Sequence, residues 1–186
     1  MNVEACVSLS EMVFDNWLPE WTEAVNLADR IIKSYIAEFI SSLPNLIIGL
    51  GDSLPLSWIA LKCRDFTLRQ KEIDLLRLWP HSEGLHNTTA LMNLGQQAFN
   101  VDHEGVNPIT GVIPESACVR TADIQTDEDQ RQARLICWLS DPAAEHMVVR
   151  ERSFDFEKPK AFSLPAKQKP PSESASSASA PCYAVT

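Results

Sequence analysis

The 186-residue sequence lacks three features that would each assign it to a well-defined class of protein. No apolar run is long enough to cross a membrane, and the N-terminus has no basic segment of the kind that opens a secretory signal. Positive charge is not in excess either, because the formal net charge is −9. Such a chain does not attract nucleic acid or an anionic membrane through its overall field. We therefore expect a soluble, non-membrane protein that does not bind DNA directly.

Patterns of cysteine and histidine that indicate disulfides or zinc are also missing. The five cysteines include no C-x-x-C pair, and their odd number leaves at least one thiol unpaired. Neither His81 and His86 nor Asp102-His103-Glu104 has the spacing of a zinc site. We expect reduced cysteines in an intracellular protein, with no metal site and no cofactor.

Helical periodicity is what the first half of the chain does contain. Apolar residues recur every three or four positions from Trp21 to Leu43, where a proline follows and ends the pattern. Three shorter helices are predicted after it, over residues 53–63, 65–79 and 84–101. Ser53 and Asp65 are suitable N-caps for the first two. Short helices this close in sequence usually pack against one another.

The second half of the chain is predicted to contain strands followed by a tail. Residues 117–125, 130–139 and 147–156 are separated by turns that contain Asp or Pro, which favours a small antiparallel meander. A helix over 127–139 is the alternative, because Asp127 could cap it. Residues 158–186 are rich in Pro, Ser and Ala and predict disorder. The expected fold is mainly α: one domain over 1–157, with a helical array and then a meander.

One tetrapeptide suggests an enzyme. Gly51-Asp52-Ser53-Leu54 follows an apolar run and resembles the nucleophile block of the GDSL esterases and lipases, which makes Ser53 the one catalytic candidate. The later blocks that supply the oxyanion site and the histidine base in that family have no counterpart here. We therefore prefer the interpretation in which Ser53 caps a helix, and we expect no enzyme activity.

The basic residues of the helical half do not indicate a nucleic-acid site. Arg64, Arg69, Lys71 and Arg77 alternate with acidic residues, including Glu72. Mixed charge of this kind is typical of a solvated helix face. We expect these side chains to be exposed to water.

Five segments resemble a known family of regulators. They are 54–65, with Lys62-Cys63-Arg64-Asp65 at a helix junction, then 69–77, 80–84, 113–120 and 129–135. In this order they resemble the C-terminal regulatory region of fungal binuclear zinc cluster (Zn2Cys6) transcription factors. The resemblance extends over about residues 20–140, most of the part predicted to be ordered.

The resemblance implies a function in transcription control, often of specialised metabolism, with location in the nucleus and contacts to a protein partner or a second copy. The six-cysteine cluster that reads DNA in that family is absent from this sequence. Contact with DNA would therefore be indirect, or would depend on a zinc cluster supplied N-terminal to this chain. The expected protein is a regulatory module that acts through apolar helix faces.

Overall fold

The computed structural model describes residues 10–39, 46–47, 51, 53–84, 86–127, 129, 131–141 and 146–157. The predicted tail, 158–186, lies outside these residues. None of the helices in the described part is long and apolar enough to cross a membrane.

Four α-helices and a preceding 3-10 helix make up the N-terminal layer. The 3-10 helix, Glu11–Trp17, leads directly into α1, Leu18–Glu38, and is followed by α2, Ser53–Lys62, α3, Phe66–Leu78, and α4, Thr88–Glu104. The predictions for α2 and α3 are confirmed to within one residue. The first long helix begins three residues earlier than predicted, since Pro19 is compatible with a first helical turn.

The predicted start of α4 at Gly84 is wrong. Asn87 is its N-cap, and its side chain accepts a hydrogen bond from Ala90 N–H at 3.1 Å. Gly84 lies instead in a turn between two short strands and has φ +56°, a backbone conformation that glycine adopts without strain. These strands are β2, Ser82–Glu83, and β3, His86–Asn87, and β2 also pairs in parallel with β1, Leu46–Ile47.

The predicted meander is confirmed. Strands β4, Val119–Thr126, β5, Gln132–Asp141, and β6, His146–Asp155, form an antiparallel sheet in that order. The alternative helix over 127–139 is therefore wrong. The fold combines a helical array with a sheet, so the predicted mainly α class is corrected to a mixed helical and β class.

Two apolar clusters, one on each side of α4, hold these layers together. The larger lies among α1, α2, α3 and α4 and includes Val25, Ile32, Ile59, Ile73 and Met92. The smaller joins Ala98 and Val101 of α4 to the sheet residues Val119, Leu135, Cys137 and Leu139. Each fully buried aliphatic side chain of this size contributes about 1.5–3 kcal/mol. Helix α4 thus lies at the centre of the fold.

Helices α2 and α4 approach so closely that one position has room only for glycine. A β-carbon at Gly95 would lie 2.8 Å from the β-carbon of Ala60, well inside van der Waals contact. The small residues on both helices therefore set the distance between them.

Candidate functional site

Ser53, the catalytic candidate of the sequence, is the first residue of α2 and is only 2% exposed. Its hydroxyl donates a short hydrogen bond to Glu83 Oε2, and its backbone N–H donates to the same oxygen at 3.2 Å. Glu83 is itself 4% exposed and lies on β2, 30 residues further along the chain. Since an acidic group at a helix N-terminus is favoured by the unpaired N–H groups there, Glu83 stabilises the start of α2.

His81 completes this cluster on the far side of the carboxylate. Its Nε2 lies 3.0 Å from Glu83 Oε1, and its Nδ1 lies 2.7 Å from the carbonyl oxygen of Trp79. Each ring nitrogen therefore faces one oxygen atom, and the two contacts fix the orientation of the ring. Burial alone would raise the pKa of the Glu83 carboxyl, but the hydrogen bonds from Ser53 and His81 outweigh burial and lower that pKa.

This order of residues differs from that of a serine hydrolase. In a hydrolase a histidine lies between the serine and the acid and takes the serine proton. Here the Glu83 carboxylate lies between Ser53 and His81. A carboxylate with a lowered pKa is a weak base, so it holds the hydroxyl in place and does not activate it.

The cluster of Ser53, Glu83 and His81 also explains why position 51 is a glycine. A β-carbon built at Gly51 would overlap the Glu83 carboxylate, since it would lie 3.0 Å from Glu83 Cδ. Glycine at this position therefore leaves space for the carboxylate, while Ser53 binds it. Gly51 and Ser53, two residues of the block that resembles an esterase, thus form a binding site for a carboxylate of the same chain.

The Lys62-Cys63-Arg64-Asp65 segment lies at the junction of α2 and α3, where the sequence predicted a helix boundary. Asp65 caps α3 by accepting from Leu68 N–H at 2.7 Å. Lys62 Nζ binds Glu11 Oε2 at 2.7 Å, and Arg64 Nε binds Asp15 Oδ1 at 2.7 Å. The basic side chains therefore hold the N-terminal 3-10 helix on the array.

A cavity of about 280 Å³ lies beside this junction. Its walls are mostly apolar, and among their residues are Phe14, Trp21, Phe66 and Ile113. Arg64, at its edge, already binds Asp15 and the carbonyl oxygen of Ile113. The cavity therefore has a mostly apolar lining, and the Arg64 guanidinium beside it already binds groups of the same chain.

The prediction that Arg69 is solvated is wrong. Arg69 is fully buried, and its Nη1 lies 2.5 Å from Asp102 Oδ2. Asp102 Oδ1 also accepts from Val119 N–H at 3.0 Å, so one carboxylate joins α3, α4 and β4. Burial raises the pKa of Asp102 although Arg69 and the Val119 N–H oppose that rise.

Glu72, one turn further along α3, was also predicted to be exposed and is fully buried. Neither carboxylate oxygen has a hydrogen-bond partner among the described residues, and the same holds for Nε and Nη2 of Arg69. Burial raises the pKa of Glu72 well above its ordinary value, because the charged form loses its hydration. The alternation of basic and acidic residues in the sequence therefore does not reveal that Arg69 and Glu72 are buried.

Three exposed apolar side chains and one half-buried one, Ile31, form a row along α1 that ends at Phe39, the residue after the helix. Leu27, Ile31, Tyr35 and Phe39 follow one another at intervals of four, which places them on one side of the helix. Their exposed fractions are 47% at Leu27, 42% at Tyr35 and 39% at Phe39. Tyr35 also contacts the Trp79 ring at a centroid distance of 5.3 Å. We call these four residues the α1 row.

Comparison of the chain with family models, with curated proteins and with solved structures gave no match in any of the three sets.

Proposed function

We propose that the chain is a transcription-factor-like regulatory protein that acts in the nucleus through contacts with another protein. The resemblance to the regulatory region of fungal Zn2Cys6 factors supports this proposal, and it also suggests specialised metabolism as the regulated process. DNA contact would be indirect or would require a zinc cluster N-terminal to this chain. The proposed binding surface is the α1 row.

The proposal rests mainly on the exposure of three side chains of the α1 row, Leu27, Tyr35 and Phe39. Large apolar side chains that line up on one helix face are the usual anchors of a helix in a protein groove. Full burial of such a side chain contributes about 1.5–3 kcal/mol. Since these side chains are already more than half buried, covering them adds a part of that free energy, and the row anchors one portion of a larger interface. The rings of Tyr35 and Phe39 stack at a centroid distance of 5.8 Å, so the C-terminal end of the row is aromatic.

The geometry around Ser53 supports this proposal over a serine esterase. Its hydroxyl is buried and bound to a carboxylate that is a weak base. A nucleophile needs an accessible oxygen and a group that accepts its proton. The cluster of Ser53, Glu83 and His81 is better suited to fixing β2 against the start of α2.

A tethering experiment tests the proposed function. The full chain is fused to a heterologous DNA-binding domain, and transcription of a reporter gene with matching upstream sites is measured in a fungal cell. We expect a several-fold change in reporter transcription relative to the DNA-binding domain alone. Leu27→Glu places a charge in the α1 row and should remove most of that change, because the charge would have to be buried in the complex.

Ala37→Glu is the matched control. Ala37 is exposed on the same helix, about 140° around the helix axis from the centre of the α1 row. It should therefore keep wild-type reporter transcription at equal protein level. A wild-type fusion that gives the same transcription as the DNA-binding domain alone would contradict the proposed function, and equal losses in both variants would contradict the assignment of the surface.

A further inference from the structure

Strand β6 is an edge of the three-stranded sheet and carries exposed apolar side chains. Among the described strands only β5 pairs with it, so within that part of the chain the backbone groups of its other edge have no strand partner. Met147, Val148 and Val149 are exposed by 57%, 43% and 51%. Natural proteins usually protect an edge of this length and character, because such edges pair readily with another strand.

The outer face of the sheet continues this apolar surface. Leu135, Cys137 and Leu139 point towards α4 and are buried, so their neighbours Ile136 and Trp138 point away from the helices. Val149 lies directly opposite Trp138 on β5, and Trp138 lies opposite Thr121 on β4. A row across the outer face therefore ends at Val149 on the free edge.

We infer that β6 pairs with β6 of a second copy of this chain, antiparallel, with Val149 of both copies at a two-fold axis perpendicular to the sheet. The two sheets then form one six-stranded sheet. Its outer face carries an unbroken row from Trp138 through the two Val149 side chains to Trp138 of the other copy. This inference goes beyond the proposed function, because it concerns the edge strand and not the α1 row.

Geometry restricts which registers are possible. A two-fold axis perpendicular to the sheet keeps the helices of both copies on one side, so only residues that point to the same face can lie opposite each other. A residue at the axis therefore lies opposite the same residue of the other copy. The candidates along β6 are Val148, Val149, Arg150 and Glu151.

Charge then selects among these registers. Centring on Arg150 or on Glu151 places two like charges directly opposite each other, which destabilises a strand pair. Centring on Val149 places Met147 opposite Glu151 and Val148 opposite Arg150, so no like charges face each other. Centring on Val149 also pairs residues 146–152 of each strand. This is two residues more than centring on Val148 would pair, because β6 begins at His146.

The existing ion pairs of the sheet are compatible with this dimer. Glu151 keeps its contact with Arg134 at 3.3 Å, and Arg152 keeps its contact with Glu104 at 2.6 Å, because both partners belong to the same copy. The two Arg150 side chains become diagonal neighbours. Both are exposed, so water and salt screen their repulsion.

Sedimentation equilibrium of the full chain tests the inference. We expect a reversible monomer–dimer equilibrium for wild type and a roughly tenfold or larger weakening of the dimer in Val149→Lys, which places two ammonium groups at the axis. Ser153→Lys is the matched control on the same face of the same strand, outside residues 146–152, and should dimerise like wild type. A wild-type chain that is monomeric at every accessible concentration would overturn the inference.

Disulfide trapping tests the register even if Val149→Lys fails to fold. Opposite residues of antiparallel strands have Cα atoms about 4.5–5.5 Å apart, which suits a disulfide. Val149→Cys should therefore give a covalent dimer on mild oxidation, above the background of the native cysteines. Glu151→Cys should not, since its two Cα atoms would be roughly 13 Å apart along the strands. Trapping of Glu151→Cys but not Val149→Cys would overturn the proposed register.

Discussion

The Arg69 guanidinium and the Asp102 carboxylate form an ion pair with an N–O distance of 2.5 Å, and their side chains are 0% and 4% exposed. Because Asp102 also accepts from Val119 N–H, the pair connects the helical array to the first strand of the sheet. Two charges removed from water are tolerated only when they satisfy each other. Loss of either partner therefore leaves an uncompensated charge in the interior.

Asp102→Asn should destabilise the protein by about 3–5 kcal/mol, since it removes the negative charge that balances Arg69. Urea denaturation followed by circular dichroism measures this loss. Glu104→Gln is the control on the same helix: Glu104 pairs with Arg152 in an exposed position and should cost less than about 1 kcal/mol. Equal costs for both variants would contradict the expected penalty for an uncompensated buried charge.

Glu72→Met should stabilise the protein by about 1–3 kcal/mol at neutral pH. The variant replaces a buried carboxyl that has no hydrogen-bond partner among the described residues with an apolar side chain of similar length. Because burial raises the pKa of Glu72 in the folded state, its proton is bound more tightly there than in the unfolded chain. Stability is therefore lost as the pH rises from the ordinary value of 4.5 through the raised pKa.

The pH dependence makes this prediction specific to Glu72. The advantage of Glu72→Met should shrink at acidic pH, where the wild-type carboxyl is protonated in both states. Urea midpoints measured at several pH values give the comparison. An advantage that stays constant with pH would mean that better packing, and not removal of the titrating group, stabilises the variant.

Ser53→Ala should lower stability by about 1.5–3 kcal/mol, because it removes a hydrogen bond to the charged Glu83 carboxylate. The hydrolysis of p-nitrophenyl acetate should be the same for the variant and the wild type. Ser57→Ala is a control on the same helix, since Ser57 donates to the Leu54 carbonyl oxygen, a neutral acceptor, and should cost less. Hydrolysis that disappears in Ser53→Ala alone would instead favour an esterase.

The three buried thiols should resist modification in the folded protein. Burial raises the pKa of Cys63, Cys118 and Cys137 to about 11, so very little reactive thiolate is present at mildly alkaline pH. In a chain with Cys6→Ser and Cys182→Ser, a thiol reagent should label these positions only after denaturant is added. Rapid labelling of the native chain would show that the core opens readily.

Features encoded by neighbouring residues could be predicted from the sequence. The α3 cap needs only the Asp65 side chain and the N–H of Leu68, three residues away, and the prediction is confirmed. The three strands of the meander were recognised because turns that contain Asp or Pro separate the three segments. In both cases the stabilising contacts lie close together in sequence.

Features that depend on distant residues could not be predicted. Strand β2, which lies just before Gly84, depends on pairing with β1 and on the contact of Glu83 with Ser53, 30 residues before it. The Asn87 cap of α4 is local, however, and its residue type could have indicated the correct start. Arg69 and Glu72 were expected in water because their charges match a solvated pattern, yet Asp102 lies 33 positions from Arg69. The pattern of neighbouring residues in the sequence indicates which residues form a helix or strand. Whether a charged side chain is buried depends instead on a partner that is distant in sequence and close in the fold.

Reporter transcription by the tethered chain, with Leu27→Glu and Ser53→Ala compared at a temperature where both are folded, distinguishes a protein-binding α1 row from a catalytic Ser53. We expect Leu27→Glu to lose most of the activity and Ser53→Ala to keep it, because the protein is proposed to act through the α1 row and Ser53 to have a structural role. Loss of activity in folded Ser53→Ala together with full activity in Leu27→Glu would contradict this proposal.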